Sequence, residues 1–546
     1  MFHRRRTGRQ ASSRASVPET EITHERDRRG KALLSRTEPE RNREVGDVMT
    51  DLDYLKLSGA GKFAHNFGQF FRNLPGKAAG GLKGLLRWFL RLFRGIGKEL
   101  KDLVQTFRNG DWKTRLSYVI MGFGSCARGQ WGRGILFFVF QTLFNLYMFF
   151  PNAQFSGCYY LGKLSTLGTV ETYKEGRKTI YGDNSFFILL YGILTIFFIL
   201  ALIYTWRLNV KQNRISEEIL KSGHKLKTTK EDAASLLDEQ FHKTLLALPT
   251  LGVAMFTILP IIFMILVAFT NFDATHQPPS KLFTWVGWDN FHQLLDTNTA
   301  SYGDTFRQVL LWTLIWAFFA TFLNYFLGML VAIMINKKGI KLKKLWRTIL
   351  VMTIAIPQFV SLLYVSKMFA QDGLINTYLL KWGWIASPIP FWTDPGWARF
   401  TIILINVWIG IPYLMLIATG ILMNIPADLY ESARIDGANA FQMYRKITLP
   451  YMLFVTGPYL LTSFTGNINN FNVIFLLSGG RPLSLELSGN AGYTDLLITW
   501  LYKMTVNDTN YKLAAVMGIL VFLVLAVINL VAYNLIPSVK NEEDFQ

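Results

Sequence analysis

The sequence has few charged residues and only two cysteines, and both shortages limit what the protein can be. Asp, Glu, Lys and Arg make up 17% of the 546 residues, whereas a soluble domain contains about 25%. Cys126 and Cys158 fall on opposite sides of the bilayer in the topology predicted below, so no disulfide can join them. The seven histidines show no metal-ligand spacing. These features argue against a soluble enzyme, a disulfide-stabilised fold and a metal site.

The N-terminal region also lacks the apolar segment that a signal peptide requires. Basic residues are frequent in residues 1–30, but no hydrophobic run follows them, so we expect no cleavable signal peptide. Residues 1–48 combine Arg, Glu and Ser with few apolar residues, which is typical of disorder. The composition changes at Met49, and the sequence leaves Met1 and Met49 open as the first residue.

Long apolar runs dominate the rest of the chain. Over the full sequence, 51% of the residues are hydrophobic and 15% are aromatic. Runs of about 20 apolar residues can cross a bilayer as helices. They are too long for the strands of a barrel, and backbone groups in lipid must bond internally. The sequence therefore predicts an all-α integral membrane protein with eight transmembrane helices, near 134–150, 184–206, 245–270, 309–335, 348–370, 399–423, 451–477 and 513–537.

Basic residues in the loops predict the orientation of these spans. The formal net charge is +20, and the basic residues lie beside apolar runs, which favours anionic membrane lipid over nucleic acid as their partner. The segment 207–243 contains eight Lys and Arg, and the segment 337–347 contains six, whereas 271–308 contains only two. Positively charged loops face the cytoplasm. We expect a multi-pass protein of the cell membrane with both termini in the cytoplasm.

Four regions follow from this pattern. Residues 1–110 form a cytoplasmic N-terminal region, in which basic and apolar side chains of residues 82–98 occupy opposite faces of an interfacial amphipathic helix. A soluble partner for this helix is the alternative. Residues 111–244 hold the first two spans and a cytoplasmic linker, residues 245–537 hold the remaining six spans, and residues 538–546 form a cytoplasmic tail.

No catalytic constellation emerges from the sequence. The glycines near Lys62 do not match a phosphate-binding loop, because Phe63 stands where Ser or Thr is required. The predicted spans contain almost no ionisable residue, although ion-coupled carriers need such groups inside the bilayer. Uptake against a gradient would draw its energy from another subunit, and the pathway suits an uncharged solute.

The clearest motif lies in the predicted cytoplasmic loop 424–450. It runs from Glu431 to Gly437 as Glu-Ser-Ala-Arg-Ile-Asp-Gly and ends, after nine residues, in Ile-Thr-Leu-Pro at Ile447 to Pro450. Asp428 suits the start of a helix, Gly437 permits a sharp turn and Pro450 fits the first turn of the next span. The pattern predicts a helix, a turn and a second helix beneath the membrane.

This loop resembles the signature loop of permease subunits in binding-protein-dependent ABC importers. Only Ser432 departs from the pattern, where that family has Ala. The resemblance implies the permease core of an ABC type I importer, in which Glu431, Ala433 and Gly437 dock into a cleft of a separate ATPase subunit. An ordinary loop of an autonomous carrier is the alternative.

Further segments make the chain similar to maltose/maltodextrin permease subunits, namely 408–413, 467–471 and 491–496. The family's large domain after the third span is absent, since 271–308 is too short to hold it. The resemblance implies a sugar site in mid-membrane, formed by Gly410, Tyr413, Ser463, Asn467 and Asn470. Such side chains supply both donors and acceptors to sugar hydroxyls. Hydrogen bonding between helices is the alternative role for these polar residues.

Two glycines qualify this expected site. Gly410 is expected to let a sugar ring approach the backbone. Gly466 stands where the family places an aromatic residue beside the sugar, and Phe464 or Phe471 could replace the lost stacking face.

The resemblance thus implies the larger membrane subunit of an ATP-driven importer of maltose or maltodextrin. Its expected partners are a second permease, two ATPase subunits and an external sugar-binding protein. No cofactor is expected on this chain, since ATP would be used by the partner ATPase. A permease for another oligosaccharide or a polyol, and an autonomous secondary sugar carrier, are the alternatives. A membrane glycosyltransferase would need clustered acids at the bilayer edge, which the sequence lacks.

Overall fold

The computed structural model describes residues 84, 87, 89–91, 93–152, 156–170, 173–180, 182–279, 281–296, 298, 301–337 and 339–535. The predicted disorder of residues 1–48, the first residues of the amphipathic helix and the tail 538–546 lie outside these ranges. Within the predicted amphipathic helix, residues 84, 87, 89–91 and 93–98 are helical, and most of their side chains are exposed.

The described chain is almost entirely helical, as predicted, with one two-stranded antiparallel sheet. Helix α1 covers residues 93–109. The other elements, with short π-helical turns included in the helices that contain them, are α2 Trp112–Leu116, α3 Phe123–Cys126, α4 Trp131–Met148, α5 Gly157–Lys163, β1 Tyr173–Glu175, β2 Lys178–Ile180, α6 Ser185–Lys221, α7 Thr229–Leu237, α8 Phe241–Val267, α9 Asp289–Leu295, α10 Tyr302–Asn336, α11 Lys343–Ala355, α12 Gln358–Met368, α13 Leu374–Lys381, α14 Pro395–Leu422, α15 Ala427–Ile435, α16 Ala440–Ile468, α17 Phe471–Leu477, α18 Leu497–Tyr502 and α19 Tyr511–Leu535.

Among the described residues, six helices are long and apolar enough to cross a membrane, namely α6, α8, α10, α14, α16 and α19. The bent pair α11 and α12 makes seven if it forms one span. The predicted first span coincides with α4, which has 18 residues but is not among the six. The predicted integral membrane fold is confirmed, whereas the number of eight spans is not.

Two predicted spans are interrupted. The run predicted at 348–370 is two helices that meet at an angle of 92°. Pro357 explains the break, since it has no N–H to donate and forces Ile356 into an extended conformation, with φ −81° and ψ 129°. The run predicted at 451–477 also ends early, because α16 stops at Ile468 and α17 starts at Phe471.

The helix predicted at 184–206 continues well past the predicted span, to Lys221. A buried polar cluster holds this extension against α2 and α3. The guanidinium of Arg128, whose side chain is 1% exposed, lies 2.5 Å from the carboxylate of Asp111 and donates to Asn213 at 2.8 Å. Glu217 accepts a hydrogen bond from Thr114 at 2.9 Å. Because each buried charge has a partner, the cluster joins the segment before α4 to the end of α6.

Three apolar clusters follow one another along α10, which is therefore the central helix of the core. Val309 belongs to the first cluster, Trp316 to the second and Met329 to the third. Helices α14, α16 and α17 complete the second and third clusters. The polar residues of α10 that lie between Trp316 and Met329 are therefore near the middle of that helix.

A buried ion pair fixes the loop between α17 and α18. The carboxylate of Asp495 is fully buried and lies 2.6 Å from the ammonium of Lys503. It also accepts hydrogen bonds from the backbone N–H of Gly492 at 2.7 Å and from the hydroxyl of Thr499 at 2.8 Å. These bonds tie residues 491–496 to Thr499 in α18 and to Lys503, which directly follows the end of that helix at Tyr502.

Candidate translocation cavity and coupling helix

A cavity of about 550 Å³ lies in the middle of the helix bundle. Its walls come from α10, the break between α11 and α12, α14 and α16. This volume falls within the range of about 300–1,000 Å³ that is usual for small-molecule sites. All five residues predicted to bind sugar line it: Gly410, Tyr413, Ser463, Asn467 and Asn470.

Asn467 in the last turn of α16 and Asn470 at the start of α17 both bond to other residues of the protein. The side-chain amide of Asn467 donates to the hydroxyl of Thr321 on α10 at 3.0 Å. Its carbonyl oxygen accepts a weak bond from Asn470 at 3.4 Å. Asn470 in turn accepts from the backbone N–H of Val473 and so caps α17. The alternative role in helix–helix bonding is therefore present for Asn467, although its side chain still lines the cavity.

Gly410 makes room for a side chain of the protein itself. A Cβ added at this position would stand 2.7 Å from the Cγ of Asn324, which is too short for a van der Waals contact. The expectation that Gly410 lets a sugar ring approach the backbone needs correction on this point: the space beside Gly410 holds the Asn324 amide. Gly410 still lies on the cavity wall.

Two further asparagines in the cavity were missed by sequence reasoning. Asn324 on α10 is 6% exposed and Asn406 on α14 is 7% exposed, and both line the cavity. In the described part of the chain, the Oδ1 atom of Asn324 and the Nδ2 atom of Asn406 have no hydrogen-bond partner. Because an unpaired buried polar group costs about 1–3 kcal/mol, each atom is suited to a ligand. One is an acceptor and the other a donor.

The aromatic lining of the cavity differs from the expected one. Phe464 packs against the second apolar cluster, and Phe471 stacks on Phe475 with 4.7 Å between ring centroids. Neither is among the residues that line the cavity, which instead has Trp408, Tyr413 and Tyr459. Neither phenylalanine therefore supplies the stacking face that an aromatic residue at position 466 would give. The aromatic contacts available to a ligand come from α14 and the middle of α16.

The break in the bent helix pair contributes backbone to the cavity. Residues 353–358 line it together with Ser361. At the start of α12 the N–H groups of Val360 and Ser361 donate to the carbonyl of Pro357, so these two backbone donors are already engaged. No described lining residue is Asp, Glu, Lys, Arg or His. The cavity therefore presents neutral donors, acceptors and aromatic rings, which suits an uncharged hydroxylated solute.

The predicted helix, turn and helix of loop 424–450 are present. Helix α15 ends at Ile435, Gly437 adopts the left-handed conformation with φ +78°, and Asn439 caps the start of α16. Glu431 and Gly437 are exposed, and Ala433 is half-buried. The hydroxyls of Tyr430 and Thr448 lie 2.8 Å apart, which joins α15 to α16.

Apolar side chains on this segment are unusually exposed. Ile435 is 86% exposed, Phe441 is 68% exposed and Leu429 is 48% exposed. Exposed apolar side chains mark contact with another protein or with the membrane. The segment therefore has apolar side chains available for contact with a partner.

The fold and the two sites together define a polytopic membrane transport subunit. Residues 324–541 match the family described as the binding-protein-dependent transport system inner membrane component. The chain is 34% identical over 427 residues to the galactooligosaccharides transport system permease protein GanP of Bacillus subtilis, covering 78% of this chain and 97% of the relative. It is also 34% identical over 442 residues to the maltodextrin transport system permease protein MalC of Streptococcus pneumoniae, covering 79% and 97%.

The chain belongs to this family of binding-protein-dependent ABC importer permeases. Similarity to the maltose/maltodextrin permease protein MalF of Escherichia coli is 35% over 255 residues, or 45% of this chain and 49% of that relative. One chain of a bacterial ABC transporter that imports the acidic polysaccharide alginate covers 55% of this chain at 25% identity, with a TM-score of 0.45. The predicted function as the permease subunit of an importer is confirmed, and so is its class as a transport subunit.

Proposed function

We propose that this subunit carries maltodextrin or a similar neutral oligosaccharide through the cavity between α10, α14 and α16. The single observation that carries the proposal is the neutral cavity with two buried unpaired amide atoms, the acceptor on Asn324 and the donor on Asn406. A sugar hydroxyl can donate to the first and accept from the second. The names of the relatives, which include permeases for maltodextrin and for galactooligosaccharides, support the same class of substrate.

The residues in the cavity have separate roles in this proposal. Tyr413, which is 53% exposed, offers an aromatic face and a hydroxyl. Ser463 and Asn470 supply polar groups from the opposite wall. The N-terminus of α12 adds the positive end of a helix dipole, which favours sugar oxygens. Because these contacts are few and neutral, we expect weak binding, which a carrier needs in order to release its solute.

In the proposed assembly, the chain pairs with a second permease and two ATPase subunits, and an external binding protein delivers the sugar. ATP is bound and hydrolysed on the ATPase subunits. Both termini and the helix α15 then face the cytoplasm, in agreement with the basic segments 207–243 and 337–347. Glu431, Ala433 and Gly437 lie in the contact with an ATPase subunit, through which closure of that subunit moves the spans.

Transport assays with cavity variants test the proposal. We expect Asn467→Ala and Tyr413→Ala each to lower maltotetraose uptake by about fivefold or more, because each removes a polar contact worth about 1 kcal/mol and reshapes the wall. The measurement is ATP-dependent uptake by the complete importer in proteoliposomes, with binding protein outside. Assembly is checked by copurification of the ATPase subunits.

Matched controls exist on neighbouring helices. Tyr364 on α12 is 72% exposed, and Asn534 on α19 bonds only to its own helix among the bonds described for it, at Leu530. Tyr364→Ala and Asn534→Ala are expected to keep normal uptake. Unchanged uptake in both cavity variants would refute the proposed site. Uptake by this chain alone, without ATP, would instead favour an autonomous carrier, and a panel with a galactooligosaccharide distinguishes the sugars.

A further inference from the structure

A second large cavity lies apart from the translocation cavity, where α4 and α5 meet the start of α6. Its volume is about 630 Å³. Four tyrosines line it, together with Asp183, Asn184 and three apolar residues. The loops that contribute to it, 151–183 and 271–308, are those that the charge pattern predicts to face outward.

Aromatic rings form one wall of this cavity without a break. The ring centroids of Tyr159 and Tyr160 are 5.4 Å apart, and those of Tyr160 and Tyr191 are 4.9 Å apart. Phe187 continues the wall, 5.9 Å from Tyr191. Tyr147 completes the lining from α4, and its hydroxyl lies 2.7 Å from that of Thr195. Ring faces at these spacings offer several apolar contacts to one ligand.

The polar end of the cavity is built around one carboxylate. Asp183 accepts a hydrogen bond from the hydroxyl of Tyr159 at 2.7 Å and lies 2.8 Å from the ammonium of Lys163. Burial and the neighbouring carboxylate raise the pKa of Tyr159 to about 12. The pKa of Asp183 lies below its ordinary value although burial raises it, because Lys163 and Tyr159 donate to it. At neutral pH the phenol thus keeps its proton and the carboxylate its charge.

These charges restrict the ligand. Among the described residues that line the cavity, no Lys or Arg is present, and the ammonium of Lys163 beside it is already paired with Asp183, so an anionic headgroup has no free counter-ion there. A cationic ligand is disfavoured as well, because the charge of Asp183 is already balanced by Lys163. A neutral molecule with hydroxyl groups and an apolar face fits both walls, since its C–H groups pack on the rings and its hydroxyls bond to the carboxylate of Asp183 and to the side-chain N–H of Asn184, whose Oδ1 caps α6.

We infer that this cavity is an accessory saccharide-binding site on the outward side of the subunit, separate from the translocation cavity. The inference rests on the proposed function insofar as the saccharide is taken to be the transported one. The accessory site binds the sugar between the ring wall of Tyr159, Tyr160 and Tyr191 and the carboxylate of Asp183. The translocation cavity shares none of these residues.

Titration of the assembled importer in lipid nanodiscs with maltotetraose tests this inference. Wild type is expected to bind sugar at two sites. Tyr191→Ala removes one ring of the wall, so one site should weaken by about tenfold while the other is unchanged. Phe187→Ala, at the more exposed edge of the wall, should weaken the same site and serves if Tyr191→Ala does not fold. Tyr204→Ala is the control, since Tyr204 lies on the same helix, is 62% exposed and does not line this cavity.

The translocation variants separate this inference from the proposed function. Asn467→Ala and Tyr413→Ala should weaken only the other site. If they abolish all binding, the accessory site is refuted and the proposed function stands. If they change nothing while Tyr191→Ala abolishes all binding, the translocation site is refuted and the accessory site stands. If mass spectrometry finds a phospholipid that Tyr191→Ala releases, and no second sugar site appears, the cavity is a lipid site and the inference is wrong.

Discussion

Substitution of Gly437 separates strain within this chain from contact with a partner. Helix α15 ends in a regular C-cap, in which Ala438 N–H donates to Ala433 at 2.8 Å and Gly437 N–H donates to Arg434 at 3.0 Å. Gly437 itself has φ +78°. No described atom lies within 4 Å of a Cβ added there. A side chain at this position therefore strains the backbone but meets nothing else in the described chain.

The size of that strain follows from the backbone conformation alone. The left-handed region costs an ordinary L-residue about 1–2 kcal/mol, and Asn tolerates it better than Ala does. If strain were the whole effect, Gly437→Ala would be impaired and Gly437→Asn nearly normal. If residue 437 fits closely into a cleft of the ATPase, the larger Asn should be worse than Ala, and Gly437→Trp should be worst.

The assay measures maltotetraose uptake and ATP hydrolysis of the complete importer in the same proteoliposomes. We expect uptake to fall in the order Ala, Asn, Trp, with Gly437→Trp at least about tenfold below wild type, because a tenfold loss corresponds to about 1.4 kcal/mol. Copurification shows whether the ATPase still assembles. Gly223→Trp is the control, because Gly223 also has a positive φ and open space around an added Cβ, and its uptake should be normal. Gly420→Trp is unsuitable, because Gly420 lies inside a span. Wild-type uptake in Gly437→Trp would refute the coupling role.

Two further predictions concern bonds that join loops to spans. Tyr430→Phe removes the hydroxyl that bonds to Thr448, so the sugar moved per ATP should fall severalfold while assembly is retained, since one such bond is worth about 1 kcal/mol; an unchanged ratio would contradict this. Asp495→Asn leaves the nearly buried ammonium of Lys503 without its counter-charge, so the free energy of unfolding should fall by about 3–5 kcal/mol. Combining Asp495→Asn with Lys503→Met should recover part of that loss. Equal stability of the single and double variants in a detergent melting assay would show that the pair does not fix the loop.

The apolar runs predicted the type of fold but not its interruptions. Average hydropathy hardly changes at a single Pro357, so the sequence predicts one span at 348–370 although its two helices meet at 92°. The same reading ends the helix from Ser185 near residue 206, where the apolar residues stop. The helix continues to Lys221 because a polar cluster around Arg128 replaces lipid as its packing partner. Such long-range partners leave no local pattern in the sequence.

The helix, turn and helix of residues 424–450 were predictable because their signals are local. A turn glycine, a helix-starting acid and a proline act through the backbone within a few residues. The cavity was predictable only where the family resemblance supplied positions on α14 and α16. Asn324 on α10 was missed, although an amide inside an apolar run is a signal in its own right, because such residues in spans are commonly functional. Asn406 could have been found by the same rule.

The two cavity walls formed by α14 and α16 are continuous in the chain with the two ends of α15. Tyr413 lies nine residues before the end of α14 at Leu422, a distance of about 14 Å along the helix axis. Thr448, which bonds to Tyr430 of the coupling helix, lies fifteen residues before Ser463, or about 22 Å. A displacement of α15 thus reaches two walls of the cavity through continuous helices. Helix α10 hydrogen-bonds to α16 through Thr321 with Asn467 and through Tyr325 with Thr456, so the walls of the cavity are joined to one another as well as to the ends of α15.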